Sequence, residues 1–464
     1  MKSQIKKITL LLLIILSIKS FSQRNLKIEL SENYELGNII LALTNYGRTD
    51  PWDVQKIPPY YNEIISYFEP VKNHPLLDSV NYSRKDWEKF LGFRTDFYAF
   101  SFDKNGNLKR DYPFNSFGPK EVDKNLELIN DFVKKSNYRN FYNQHKNFYN
   151  QLMSNYKKYY YIDKSFSFLD KFAPNLKQKS NSNYVIAISP LVGGQNCHRD
   201  INSLTTVDFP NIGEDLILGK MEENISSRIV DNHSIFTEMD HGYVNPISEK
   251  YSELISKNFD LKKWDNKSGY LGINSFNEYM TWAVYDIFIS DNFSKEKTDS
   301  ISNIYWKQNA TRGFIAQNLF SKKLIELHNK NKSKQLEDLY FPMLKWCKKV
   351  ENKISQPKLL NSDTKNFITL KNNVVELHFS EPMQKSKIID LVLIKFENGK
   401  QTQNRQNLKI ENPIWSEDGR NVNFKITSEF EQYAISFYVW NSSNGLYSKN
   451  DILLNPQSYI LIKK

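Results

Sequence analysis

The spacing of apolar residues changes once along this 464-residue chain, near Gln356, and the change limits the folds that the chain can adopt. Before that point, most apolar residues recur at helical spacing. After it, short segments such as residues 374–379 alternate apolar and polar residues, which is the pattern of half-buried strands. We therefore predict an α+β fold, with a mainly helical region and a small sheet at residues 23–355 and an all-β region at residues 356–464.

The N-terminal region is predicted to have two parts. Residues 23–181 are expected to be helical, because apolar residues recur every three or four positions, as at Leu36 and Ile39. The second part, residues 182–355, opens with the clearest strand candidate of the region, residues 184–192, and then returns to helical spacing. This second part also contains the residues with the strongest chemical signal.

Residues 1–22 have the pattern of a secretory signal peptide. Basic residues precede an apolar run at residues 8–18, and Ser20 and Ser22 provide small residues beside the expected cut. We predict export to the periplasm, the cell surface or the medium, with an uncleaved N-terminal anchor as the alternative. No later segment has the eighteen or so uninterrupted apolar residues of a membrane helix, so no membrane insertion is expected after the signal is removed.

Charge and cysteine content exclude two classes of protein. The formal net charge is +11, but lysines alternate with acidic residues and form no run of five or six like charges. This pattern favours a solvated surface and argues against specific nucleic-acid binding. Cys197 and Cys347 are the only cysteines, so the chain is not a disulfide-stapled scaffold. The sequence leaves open whether these two are paired, and it does not indicate an oligomeric state.

Residues 237–241 read Thr-Glu-Met-Asp-His and match the zinc-protease pattern H-E-x-x-H except at the first histidine. In that pattern, two histidines four residues apart share a helix face and bind one Zn²⁺, and the glutamate polarises the metal-bound water. Here Glu238 keeps the position of the catalytic base and His241 that of one metal ligand. Thr237 replaces the other ligand with a hydroxyl that is not a usual zinc donor. The helix is expected to stop at Gly242 and Pro246.

Two further residues are candidate metal ligands. Glu278 lies 37 residues after His241 in a predicted helix, either as an acidic third ligand or as a capping-box partner of Ser275; we prefer the ligand. His198, in a predicted loop, is placed along the chain so that it can reach over the helix. With His241 and Glu278 it would complete a three-ligand site with Glu238 as base.

Other assignments of these residues remain open. Glu238 can itself be a ligand beside His241 and Glu278, in a carboxylate-rich site that suits harder metals than zinc. A loop histidine at position 198 that binds no metal is also consistent with the sequence. Asp240, beside His241, is expected to face solvent or to orient a ligand.

Several segments of the chain resemble a secreted bacterial family known as domain of unknown function 4932. They are residues 34–36 with 40–44, 67–70 with 74–75, and 238–241 with 244–246. Members commonly carry a complete H-E-x-x-H before Val-Asn-Pro and a later glutamate that would match Glu278. The resemblance implies a zincin-like fold and a gluzincin-type metallopeptidase ancestry. Because this chain departs from the pattern at Thr237, zinc binding and hydrolysis are both open.

The C-terminal region resembles a second family. Residues 379–383 after a predicted strand, and residues 415–420 before the next, resemble bacterial Ig-like domains of the SbsA type. The resemblance implies an Ig-like β-sandwich at residues 356–464 that serves as a spacer, a stalk or a weak adhesive module.

These observations together predict an exported zincin-like protein with an altered site. If the site is active, it binds zinc and hydrolyses a peptide or protein substrate, with Glu238 as base and His241 and Glu278 as ligands. The alternative is a non-catalytic envelope or surface protein that binds a peptide or a glycan, because such a protein tolerates the loss of a ligand at Thr237.

Overall fold

A computed structural model describes residues 25–113, 120–176, 183–202, 204–265, 267–362, 365–439, 442 and 444–464. The predicted signal peptide lies outside the described residues. The chain divides into two compact units: an N-terminal unit from Met1–Phe166 and Leu176–Met239, and a C-terminal unit from Ser167–Asn175 and Asp240–Lys464.

The N-terminal unit contains most of the short helices and all the strands before residue 210. Its helices are α1 (Glu32–Leu43), α2 (Asn45–Thr49), α3 (Tyr60–Tyr67), α4 (Pro75–Ser79), α5 (Trp87–Asp96), α6 (Glu121–Lys124), α7 (Leu126–Ser136), α8 (Tyr138–Gln144) and α9 (Lys146–Tyr159). Next come α10 (Ile162–Phe172), α11 (Glu214–Ile217) and α12 (Ile225–Lys250), of which α10 and α12 continue into the C-terminal unit. Its strands are β1 (Asn25–Glu29), β2 (Phe100–Phe102), β3 (Leu108–Arg110), β4 (Asn183–Ala187), β5 (Cys197–Asn202) and β6 (Thr205–Phe209).

A four-stranded sheet joins the start of the N-terminal unit to its second half, with strand order β1-β4-β6-β5. The pairs β1–β4 and β4–β6 are parallel, whereas β5 runs antiparallel to β6 and forms an edge of the sheet. The strand predicted at residues 184–192 is present but shorter, as β4. His198, predicted in a loop, lies instead in β5, opposite Asp208 of β6.

Helix α12 runs for 26 residues through Gly242 and Pro246, so the predicted stop at these residues is wrong. Tyr243, Val244 and Ile247 are buried on both sides of the proline and keep the helical spacing of the apolar face. Pro246 and Gly242 are both exposed. Proline removes one backbone N–H from the helix, and at an exposed position the carbonyl that loses this donor can bind water. Burial of the apolar face therefore outweighs the local stop signal.

The C-terminal unit is helical up to residue 350 and then consists of strands. Its further helices are α13 (Ser252–Asn258), α14 (Leu261–Trp264), α15 (Ile273–Asn292), α16 (Lys295–Thr311), α17 (Gln317–Lys330) and α18 (Leu336–Val350). Its strands are β7 (Ile368–Thr369), β8 (Val374–His378), β9 (Ile388–Glu397), β10 (Lys400–Glu411), β11 (Ile414–Trp415), β12 (Asn421–Lys425), β13 (Gln432–Ser436) and β14 (Tyr459–Lys463). The mixed α+β class is confirmed.

The C-terminal strands form two sheets with the orders β10-β9-β13-β14-β7 and β11-β12-β8. Both sheets contribute to one buried hydrophobic cluster, which includes Leu377 of β8, Leu391 of β9 and Ile435 of β13. Leu377 belongs to residues 374–379, whose alternating pattern predicted a strand. Among the described residues, no helix combines the length and the apolar character that a membrane span requires.

Candidate functional site

Helices α12 and α15 bring His241 and Glu278 together in the C-terminal unit. The His241 Nε2 atom lies 3.5 Å from Glu278 Oε1, and both side chains are largely buried, with 18% and 13% of their surface exposed. The other ring nitrogen, Nδ1, lies 3.3 Å from Oδ1 of Asn245, one turn later on α12. A hydrogen bond at Nδ1 fixes the orientation of the imidazole, so that Nε2 is directed at the carboxylate.

The capping-box alternative for Glu278 is wrong. Helix α15 begins at Ile273, after Gly272 with φ +56°, and Gly272 makes no side-chain capping bond. Ser275 is therefore inside the helix, and its hydroxyl donates to Asp265 Oδ2 at 2.9 Å. Glu278 is one turn further along, where its carboxylate contacts His241.

Thr237 does not replace the missing histidine chemically. Its hydroxyl donates to the carbonyl of Ser234 at 3.2 Å, a common local bond of threonine inside a helix, and the residue is 6% exposed. A hydroxyl engaged in this way is neutral and directed at its own helix backbone. Thr237 thus has a structural role in α12 and is a poor zinc donor.

His198 belongs to a hydrogen-bonded chain across three neighbouring strands of the N-terminal unit. Its Nδ1 lies 2.7 Å from Oδ1 of Asp208, which is fully buried, and the Tyr184 hydroxyl donates to the other Asp208 oxygen. Its Nε2 lies 3.8 Å from Oδ1 of Asp200. A buried carboxylate behind one ring nitrogen is the arrangement that orients catalytic and metal-binding histidines.

The charges around His198 favour its protonated form. Burial lowers the pKa of His198, but Asp208, Asp200 and Glu238 outweigh burial and raise it to about 9. Glu238 on α12 therefore lies within electrostatic reach of β5 in the N-terminal unit. Because a metal requires neutral imidazole, a protonated His198 would have to release its proton before it could act as a ligand.

Asp240 is buried, so the prediction that it faces solvent is wrong, whereas the alternative, that it orients a ligand, stays a prediction. Within the described part of the chain, neither oxygen of its carboxylate has a hydrogen-bond partner. Burial raises the pKa of Asp240 well above its ordinary value, which favours the neutral carboxylic acid.

The residues present fall one ligand short of a catalytic zinc site. Two donors on one tetrahedral zinc, each at about 2.0–2.1 Å, are about 3.3 Å apart, so the His241–Glu278 separation suits such a pair. A catalytic zinc site uses three protein ligands, and Thr237 occupies the position of the third. No group of three histidine, cysteine, aspartate or glutamate side chains placed to hold a metal occurs among the described residues.

The structure distributes the predicted site residues between two clusters. His241 and Glu278 form one in the C-terminal unit, and His198 and Asp208 form the other in the N-terminal unit, where Glu238 acts on His198. Asp208 was not predicted, although it follows the β-branched residues 205–207, a composition typical of strands. Both cysteines are buried free thiols, which answers the question of their pairing.

Comparisons with known proteins identify no family for this chain. No protein-family model and no curated protein matches it. The solved structures that match are S-layer proteins: rSbsC(31-844), at 8% identity and a TM-score of 0.18, and SbsC domains 1-6, at 10% and 0.18. The N-terminal part of SbsC matches at 11% identity and a TM-score of 0.17, over 77% of its length. Each match covers 93% of this chain, which spans 45% of the length of the first two.

Proposed function

We propose that this chain is an exported zincin-like protein, related to metallopeptidases, that binds extended peptides without hydrolysing them. The observation that carries the proposal is the place of β5 at the edge of a sheet whose other strands are parallel. An edge strand has backbone N–H and C=O groups available to pair with an added peptide strand. In zincin-like domains, an edge strand of this kind aligns the peptide.

The side chains of β5 support peptide binding at this edge. Cys197 is buried, His198 and Arg199 are only partly covered, and Asp200 and Asn202 are exposed. Glu238 influences the pKa values of His198, Arg199 and Cys197, which places its carboxylate near the strand. The edge is therefore flanked by both signs of charge, a setting suited to polar peptide termini or side chains.

The loss of catalysis follows from the chemistry at Thr237. Without the first histidine, only two of the three metal ligands remain, His241 and Glu278. These two side chains contact each other directly, and this contact, rather than a metal ion, links α12 to α15. Glu238 then has no metal-bound water to activate.

The C-terminal region is proposed to be an Ig-like β-sandwich that presents the rest of the chain at a cell surface. The buried cluster shared by the two C-terminal sheets supports this proposal. A role as spacer fits a chain that leaves the cytoplasm through its predicted signal peptide, and no activity is assigned to this region.

Metal titration tests the proposed loss of catalysis. Zinc binding is measured by calorimetry on residues 23–464, with Thr237→His as the restoring variant and Thr237→Asn as its matched control. We expect Thr237→His to raise zinc affinity by more than about tenfold, because it completes three protein ligands, and Glu278→Gln in the same background to remove the gain. Stoichiometric zinc in the natural chain, with casein cleavage lost in Glu238→Gln, would establish a peptidase instead.

Peptide binding is tested separately with labelled peptides of a casein digest, followed by fluorescence anisotropy. A peptide that binds is resynthesised with alternate backbone N-methyl groups, which remove donors on one edge and keep the side chains. We expect the methylated peptide to bind at least about tenfold more weakly, since several backbone bonds are lost. Equal binding of the two peptides would exclude strand addition at β5.

A further inference from the structure

Arg94, on α5, is a buried cation with unused hydrogen-bond donors. The residue is 1% exposed, and its Nη2 donates to the carbonyl of Gln195. Its Nε and Nη1 are also buried and have no hydrogen-bond partner among the described residues. A guanidinium stays protonated at any pH that the fold survives, so burial cannot remove this charge.

The acidic residues closest along the chain to Arg94 and Tyr34 each bind another residue through one oxygen, and their second oxygens, Asp96 Oδ1 and Glu35 Oε2, are buried without a hydrogen-bond partner among the described residues. Asp96 lies 3.3 Å from the guanidinium of Arg110, and Glu35 accepts a hydrogen bond from the Tyr60 hydroxyl at 2.6 Å. Burial also raises the pKa of Glu35 to about 7, so its negative charge is weakened at neutral pH. Within the described part of the chain, no carboxylate forms an ion pair with Arg94.

The charge of Arg94 acts on two further buried donors. The Tyr34 side chain is fully buried, and its hydroxyl lies near the Asn38 side chain but makes no well-formed hydrogen bond among the described residues. The Cys197 thiol is buried on β5, two residues after the Gln195 carbonyl that accepts from Arg94. Burial raises the pKa of both groups, and Arg94 is the strongest influence that opposes burial at each of them.

The three groups share one chemical character. A guanidinium, a neutral phenol and a neutral thiol all donate hydrogen, and the guanidinium adds a positive charge. A water molecule could accept from these donors but would leave the charge uncompensated. An anion provides both an acceptor and the opposite charge, which is the condition under which a charge is stable when buried.

We propose that Arg94, Tyr34 and Cys197 form a buried binding site for a small monovalent anion of the size of chloride. The size follows from burial, because the three residues are 0–6% exposed and enclose no room for a large ligand without rearrangement. The site lies in the N-terminal unit beneath the edge strand β5. An anion there would hold α5 and β5 together through Arg94 and Cys197.

Chloride itself is the probe. The linewidth of the ³⁵Cl NMR signal is measured with residues 23–464 at constant ionic strength, with gluconate replacing chloride and bromide as competitor. We expect excess broadening that bromide removes and that is lost in Arg94→Met. The matched control is Arg139→Met, since Arg139 is an exposed arginine paired with Glu32 and its loss should leave the broadening unchanged.

A second variant and the crystallographic position of the bound anion complete the test. If Arg94→Met does not fold, Tyr34→Phe removes one donor and keeps the ring, and chloride affinity should fall by about tenfold. Crystals grown in bromide should show an anomalous peak beside the Arg94 guanidinium. Undiminished broadening in Arg94→Met, an unchanged chloride affinity in Tyr34→Phe, or a water in place of bromide at Arg94 would overturn the proposal.

Discussion

His198 and Asp208 face each other across the antiparallel pair β5–β6, with Nδ1 2.7 Å from a fully buried carboxylate oxygen. The Tyr184 hydroxyl donates a hydrogen bond to the second oxygen of Asp208. A histidine held in this way has one fixed ring orientation, and its Nε2 lies 3.8 Å from Oδ1 of Asp200. Its protonation state is therefore set by the carboxylates around it.

Asp208→Asn should lower the pKa of His198 from about 9 towards the ordinary value of about 6.5, because it removes the main charge that opposes burial. Because the pKa of His198 is higher in the folded state than in the unfolded state, protonation of His198 stabilises the fold. This stabilisation is complete at pH values below the unfolded-state pKa and is lost as the pH rises through about 9. NMR titration of the imidazole measures the shift. Tyr184→Phe is the control, since it perturbs the chain of bonds but keeps the charge; an unchanged pKa in Asp208→Asn would contradict the assignment.

Gly213→Ala should destabilise the N-terminal unit for a steric reason. A Cβ atom at Gly213 would lie 1.9 Å from Oδ2 of Asp231, and the backbone φ of −72° is ordinary, so only space is at issue. We expect a loss of about 1–3 kcal/mol in the free energy of unfolding, measured by urea denaturation. In the Asp231→Ala background the same change should cost much less, which is a direct test of the contact.

Gly242→Ala is the matched control for this glycine prediction. Gly242 lies inside α12, and apart from its chain neighbours and the nearby backbone of its own helix, no atom lies within 4 Å of the position of its Cβ. Alanine should therefore raise stability by about 0.5–1 kcal/mol through helix propensity. If Gly213→Ala raised the free energy of unfolding, or if Gly242→Ala lowered it strongly, steric space would not determine which residues these two positions tolerate.

The spacing of apolar residues predicted much of the architecture, because the buried residues of a helix face or strand are mostly apolar and the pattern therefore repeats along the whole element. The switch near Gln356 separates the helices that end with α18 from the strands that begin with β7. Local stop and cap signals predicted less well. Gly242 and Pro246 did not end α12, and Ser275 did not cap α15, because packing of the flanking apolar residues contributes more than one cap or one lost bond.

The candidate site was predictable only where its residues share a motif or a recognised spacing. His241 and Glu278 were paired through the family pattern and do lie in contact. The partnership of His198 with Asp208 depends on strand register, which includes an irregularity after Asp200. Register is set by three-dimensional packing and turn geometry, so residue order alone did not place Asp208 behind the histidine.

Trp306→Phe should destabilise the C-terminal unit through Asp286. The buried carboxylate of Asp286 accepts from Ser302 Oγ at 2.5 Å and from Trp306 Nε1 at 2.8 Å. Burial raises the pKa of Asp286 to about 6, and these two donors limit the rise. Loss of the indole donor should cost about 1–3 kcal/mol by urea denaturation at pH 7, and less below pH 4, where the carboxyl group is protonated.

Trp87→Phe is the control for the indole prediction, since Trp87 is 45% exposed and its replacement should change stability by less than about 0.5 kcal/mol. If the two substitutions have equal effects, or if the loss at Trp306 does not depend on pH, the hydrogen bond to Asp286 does not account for the stability of this region.

Asp240→Asn should stabilise the protein at neutral pH, because Asp240 is buried without a hydrogen-bond partner among the described residues. Burial raises the folded-state pKa of Asp240 well above 3.8, so the folded state holds the proton over a pH range in which the unfolded state has released it. The natural protein therefore loses stability as pH rises from about 4 towards that folded-state pKa, by up to about 1.4 kcal/mol per pH unit. Asparagine does not titrate, so the stability advantage of Asp240→Asn over the natural protein should grow over the same range in urea denaturation at pH 4, 5, 6 and 7.

The control is Asp299→Asn, at an exposed position paired with Lys295, whose effect on stability should not grow with pH. A constant difference between Asp240→Asn and the natural protein would mean that Asp240 is not the buried acid that the structure places next to His241.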